Sequence, residues 1–71
     1  MIAERLKFLR NERNLTQRAV ARGADIGERQ YQAYEYGEKK PGCDILIALA
    51  DFFDVSADYI LGRTNDPHMH R

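Results

Sequence analysis

Only one cysteine, Cys43, occurs in the 71 residues, so no internal disulfide can hold the fold and no cysteine-rich metal site can form. That usage suits a reducing compartment and leads us to expect a cytoplasmic protein. Long apolar runs are missing too. The longest, Ile45 to Ala50, falls far short of the roughly 20 residues a bilayer span needs, so no membrane partner is expected. Glu4 and Arg5 sit where a signal peptide needs its apolar stretch, and no export signal is expected. No histidine precedes residue 68, and the chain has no phosphate-cradling glycine loop, paired-carboxylate pocket or nucleophile triad. One small domain accounts for the whole length, which leaves little room for both a core and a deep substrate cavity. An enzyme is therefore disfavoured, and no cofactor is expected.

Net charge is also absent: eleven Lys and Arg balance eleven Asp and Glu. Neutrality counts modestly against a nucleic-acid binder, but the charges are unevenly spread. Residues 1–22 carry a net +4, residues 23–42 a net −1 and the remainder a net −3. Such polarity can turn one face toward a polyanion, and it is equally compatible with ordinary solvated helix faces.

What is present is helical periodicity. Ile2, Leu6 and Leu9 form one stripe, predicting a first helix over about 2–13 that ends where Asn14 tolerates the left-handed conformation. Thr16 is an N-cap for a second helix over about 17–24, with Leu15 and Val20 as a hydrophobic staple across it. Ile26 and Tyr31 repeat the staple around Gly27 and predict a third helix over 28–35. Residues 37–42 read as a loop. Cys43, Leu46, Ile47, Ala50 and Phe53 then mark an apolar fourth helix over 43–53, and Val55, Ser56 and Ile60 open a fifth that ends at Gly62. No strand pattern, repeat or low-complexity run is found. The expected organisation is an all-α, five-helix domain over 1–62 and a polar, frayed tail over 63–71.

The second and third helices are joined by about four residues. Their apolar positions Val20, Ala24, Ile26, Tyr31 and Tyr34, with small Ala21 between, describe two helices packed closely at a steep angle, which is helix-turn-helix spacing. Four segments carry a further resemblance: Arg5 to Arg10, Leu15-Thr16-Gln17, Tyr34 to Pro41, and Leu49 to Gly62. Together they resemble the XRE (phage Cro and C1 repressor-like) helix-turn-helix family over residues 2–62. The resemblance implies a lambda-repressor-like DNA-binding domain that contacts double-stranded operator DNA and regulates transcription, as a repressor. The chain departs from the family pattern at four places. Asp25 and Asp54 stand where glycine is usual, Gly27 replaces a Ser or Thr cap, and Gly23 sits where a helix former is preferred. An alternative on the same fold is a protein-interaction module, an antitoxin or assembly partner without specific DNA binding.

Helical geometry picks the outward face of the third helix. With Tyr31 and Tyr34 inward, Arg29, Gln32 and Ala33 point out, flanked by Glu28. Residues on this part of the second helix of the motif meet base edges in the major groove. Arg29 suits guanine bidentately, Gln32 adenine bidentately, and Glu28 the cytosine amine, while a plain solvated face accounts for the same residue types. Gln17 matches the family's phosphate-contacting glutamine, Tyr36, Lys39 and Lys40 flank the reading helix as backbone contacts, and the amides around Cys43 open the fourth helix toward another phosphate. Arg10 matches a family position that contacts phosphate or pairs with Glu35, and the internal pair is favoured. Cys43 itself falls on the apolar stripe and is expected to be a small buried residue. His68 and His70 lie at a spacing that binds metal weakly, without a third ligand, so no metal site is expected. One small domain offers few base contacts, which predicts a weak homodimer on DNA. No separate dimerisation domain is expected after Gly62, so Phe8, Phe52 and Ile60, apolar and beside the main stripes, are the expected contact residues.

Overall fold

The computed structural model describes residues 1–68, and five helices follow one another: α1 (Ile2–Glu12), α2 (Gln17–Gly23), α3 (Glu28–Glu35), α4 (Cys43–Phe53) and α5 (Ala57–Leu61). No strand occurs among the described residues. The starts obey local chemistry. Thr16 Oγ1 accepts the Ala19 N–H and Ser56 Oγ the Tyr59 N–H, each at 3.0 Å, so each side chain satisfies a donor that the helix itself leaves unpaired. Gly27 opens α3 in an extended conformation with no side-chain cap. The connections turn on short polar residues in the left-handed region: Asn14 (φ 55°), Asp25 (φ 59°) and Asp54 (φ 57°). Asp25 and Asp54 thus adopt the conformation that the usual glycine would take at less cost.

α1 packs on α3 and α5, α2 on α3 and α4, and α4 on α5. The largest fully buried side chains are Tyr31, Phe53, Leu6, Leu49, Ile60 and Val20. Three of these, Val20, Tyr31 and Ile60, are the fourth helical residues of α2, α3 and α5, opposite Leu15, Ile26 and Val55. Each staple therefore both fixes the entry of a helix and fills the core.

Several expectations need correction. Ile60 has no exposed surface, because its staple role turns it inward, so it cannot touch a second copy in this fold. Cys43 is exposed: it is the first residue of α4, and the inward face of that helix is made by Leu46, Leu49, Ala50 and Phe53. Ile47, assigned to the same stripe, is half exposed. Phe52 is half-buried, with its ring over Gly23 and edge-on to Phe53 at 5.2 Å between centroids. A Cβ on Gly23 would collide with that ring, which explains a glycine in the last turn of α2. Residues 63–68 fold back on the domain. Arg5 Nη2 donates to Asn65 Oδ1 at 2.7 Å while its guanidinium lies 4.1 Å from the Tyr59 ring centroid, and the Ser56 N–H donates to the Pro67 carbonyl at 2.8 Å.

Candidate nucleic-acid interface

One ion pair ties α3 to α1 beneath the polar face of the motif. Arg10 Nε donates to Glu35 Oε2 at 2.8 Å and Arg10 Nη2 to Glu35 Oε1 at 2.7 Å, a two-point fork between α1 and α3. Arg10 Nη1 also donates to the Leu15 carbonyl at 2.9 Å and so holds the approach to α2. Glu35 is 2% exposed. Burial works to raise its pKa, but the hydrogen bonds and charge of Arg10 prevail and hold the carboxyl below its usual value. The same hydrogen bonds raise the Arg10 pKa. The Tyr31 hydroxyl is buried beside the pair, and burial, with the neighbouring carboxylate, pushes its pKa up. The sequence-level preference for an internal Arg10–Glu35 pair is what the geometry shows.

A second polar layer lies above this pair. Gln17 Nε2 donates to Glu35 Oε1 and to the Tyr36 hydroxyl, both at 3.4 Å, and Gln17 Oε1 accepts from Gln32 Nε2 at 3.1 Å. Gln32 Nε2 also approaches Glu28 Oε2 at 3.5 Å, and Glu28 Oε1 accepts from Arg18 Nε at 3.2 Å. Gln17, Gln32 and Glu28 thus form one continuous network across α2 and α3. Arg18 is the member that the sequence did not disclose, since an exposed Arg ten residues from a Glu has no helical spacing to link them. Gln30 was also missed; its Nε2 donates to the Tyr34 hydroxyl at 2.8 Å.

Arg29 is exposed, and Ala33 is half-buried beside it. A shallow groove brings Arg29, Gln32, Ala33, Tyr36 and Lys39 together. Lys40 is exposed in the loop that follows α3, and Cys43 at the start of α4. Among the described residues, no carboxylate lies within ion-pairing distance of Lys7, Arg22, Arg29, Lys39 or Lys40. The other cations of the basic front end are engaged internally: Arg5 with the returning tail, Arg10 with Glu35, Arg13 with the Phe53 carbonyl at 2.9 Å, and Arg18 with Glu28. The uncompensated charge therefore includes Arg29 on α3 and the two lysines that follow it. Phe8 is 54% exposed on α1. His68 Nδ1 lies 2.7 Å from Asp66 Oδ1, and no group of three metal-ligating side chains occurs among the described residues; His70 lies outside them. No described helix is long and apolar enough to cross a membrane.

Five helices with α2 and α3 locked at a tight turn, and α3 presenting an outward polar face, define a helix-turn-helix domain of lambda-repressor-like fold. The family profile described as "Helix-turn-helix domain" matches residues 3–65, and the chain belongs to that family, in its XRE, phage-repressor-like branch. Its relatives include the uncharacterized HTH-type transcriptional regulator YobD of Bacillus subtilis, 45% identical over 94% of this chain and 60% of the relative. The HTH-type transcriptional regulator ImmR of the same organism is 34% identical over 87% of this chain and 49% of the relative. The cryptic phage CTXphi transcriptional repressor RstR of Vibrio cholerae is 38% identical over 78% of this chain and 50% of the relative. The chain thus spans about half to 60% of the length of these relatives. Among solved structures, the DNA-binding domain of the P22 c2 repressor in solution superposes with a TM-score of 0.81 at 24% identity, covering 86% of this chain and 80% of that one. The P22 c2 repressor bound to a synthetic operator gives 0.81 at 23% identity, covering 84% of this chain and 91% of that one. At this identity the likeness establishes the fold.

Proposed function

We propose that this chain binds double-stranded DNA sequence-specifically, with α3 in the major groove, and acts as a transcriptional regulator of the repressor kind. The observation that carries the reading is the outer face of α3: Arg29 stands exposed with no carboxylate partner and shares one groove with Gln32 and the free ammonium group of Lys39. Base contacts fall to Arg29 and Gln32, with Glu28 and Ala33 at the edge. Backbone contacts fall to Tyr36, Lys39, Lys40 and the amides at Cys43, and Gln17, whose Nε2 hydrogens face Glu35 and the Tyr36 hydroxyl, supports that hydroxyl instead of meeting a phosphate itself. The relatives ImmR and RstR are transcriptional regulators, which supports the same reading. No step of it calls on catalysis or a cofactor.

A single domain of this size offers few base contacts, so two copies are expected on one operator, with half-site centres about 34 Å, or roughly 10 base pairs, apart. With Ile60 withdrawn, Phe8 and the open edge of Phe52 are the remaining apolar candidates for the contact between copies. The cytoplasm is the compartment we assign. Selection from random duplex DNA, followed by titration at several salt concentrations, tests the reading. A DNA binder yields a defined site and an affinity that falls steeply with salt, whereas a protein-interaction module on this fold yields neither.

A further inference from the structure

The polar network above Glu35 has a direction, and that direction determines what Gln32 can offer to a base. A carboxylate only accepts hydrogen bonds, so the end of Gln17 that faces Glu35 Oε1 must be its amide NH2, and Gln17 therefore turns its carbonyl oxygen to Gln32. At the other end, Glu28 Oε2 is again an acceptor only, so the end of Gln32 that faces it must also be NH2. The two carboxylates impose the same polarity from opposite sides. Gln32 Nε2 has two hydrogens and two acceptors facing them, Gln17 Oε1 at 3.1 Å and, at the outer limit of hydrogen-bond range, Glu28 Oε2 at 3.5 Å. Arg18 Nε lies 3.2 Å from the other oxygen of Glu28. What Gln32 has left is Oε1.

We propose that Gln32 reads DNA as an acceptor only, taking one hydrogen bond from the exocyclic amine of adenine or cytosine, and makes no bond to a purine N7. The bidentate pairing of glutamine with adenine needs an NH2 donor to N7 as well as the carbonyl, and here the network has already spent that donor. Glu28 then acts as a positioning residue: its carboxylate orients Gln32, and Gln17 transmits to the reading face the orientation set by the buried Glu35. Donor and acceptor are divided along α3, with the guanidinium of Arg29 supplying donors and Gln32 the acceptor.

This inference rests on the proposed DNA reading, and the test separates the two. The full chain is titrated against a duplex obtained by selection from random DNA, and then against the same duplex with single-atom changes. Adenines are replaced one at a time by 7-deazaadenine, which lacks N7, or by purine, which lacks the amine, and cytosines by 2-pyrimidinone, which lacks the amine. The position that belongs to Gln32 is the one whose amine-deletion penalty disappears in Gln32→Ala. Removal of the amine at that position is expected to weaken binding about 5-fold or more, while removal of N7 from an adenine there changes it less than 2-fold. In Glu28→Ala, one hydrogen of Gln32 is released, and an N7 penalty is expected to appear at an adenine in that position. An N7 penalty equal to the amine penalty in the unaltered protein overturns the inference while leaving DNA reading intact. The same holds if no amine deletion carries a penalty that depends on Gln32. Failure to select any duplex overturns the DNA reading itself.

Discussion

Arg10 of α1 and Glu35 of α3 meet in a two-point fork, 2.8 Å and 2.7 Å long, in which the carboxylate is almost completely buried and the guanidinium also holds the carbonyl before α2. Three of the five helices are therefore registered by one arginine, and the exposed residues of α3 inherit their placement from it. Breaking a buried pair on one side leaves a desolvated charge, so Arg10→Met is expected to cost about 3–5 kcal/mol in chemical denaturation, while Arg10→Met with Glu35→Leu costs much less.

The same pair sets an acid limb. The Glu35 pKa is lowered by folding, so the unfolded chain takes up its proton first as pH falls. The stability this group contributes is fully present above the unfolded carboxylate range and is lost as pH falls through the folded value. Glu35→Gln is expected to flatten this part of the profile when stability is measured from neutral pH into acid. An unchanged acid limb in that variant would contradict the assignment.

Gly23 illustrates a residue whose reason lies far away in sequence. By helix propensity alone, alanine there should stabilise α2 by up to about 1 kcal/mol. The Phe52 ring occupies the space, so Gly23→Ala is expected to destabilise by roughly 1–3 kcal/mol, and Phe52→Leu to relieve much of that cost in a double-mutant cycle.

Ile60 and Phe8 should behave oppositely. Ile60→Ala truncates a fully buried side chain and is expected to cost about 2–5 kcal/mol. Phe8→Ala is expected to leave the melting transition nearly unchanged and to remove cooperative two-copy occupancy of a palindromic duplex. Cooperativity that survives Phe8→Ala places the contact between copies elsewhere.

Cys43 is exposed, so alkylation in the native protein is expected at a rate close to that in denaturant, and Cys43→Ala should change stability by less than about 0.5 kcal/mol. Strong native protection would return Cys43 to the core.

The helices were legible because their signals are local. Thr16 and Ser56 cap in the structure, Asn14 is left-handed at the end of α1, and the three staples sit where residue spacing puts them. Of the outward set, Arg29 is exposed, whereas Gln32 and Ala33 are half-buried and the neighbouring Gln30 is exposed in their place. What the sequence did not disclose is long-range or concerns helix ends. Phe52 over Gly23 joins α4 to α2 across 29 positions, and Arg18 reaches Glu28 across a turn. Arg5 receives residues 64 and 65 from the far end of the chain. Cys43 was misplaced because a stripe gives the angle of a residue around its helix and not whether the core extends to its first turn. Ile60 was assigned both to a staple and to an outer contact, and burial decides for the staple.

The central claim, that α3 reads base edges while the lysines after it hold the backbone, is tested most directly by titrating the unaltered chain, Arg29→Ala and Lys40→Ala on a selected duplex and on a scrambled one across a range of salt. Arg29→Ala is expected to lose about 1–3 kcal/mol on the selected duplex, to lose far less on the scrambled one, and to relax preference at one base pair. Lys40→Ala is expected to weaken both duplexes alike and to reduce the salt slope by about 1. Equal losses on both duplexes for Arg29→Ala would contradict the claim.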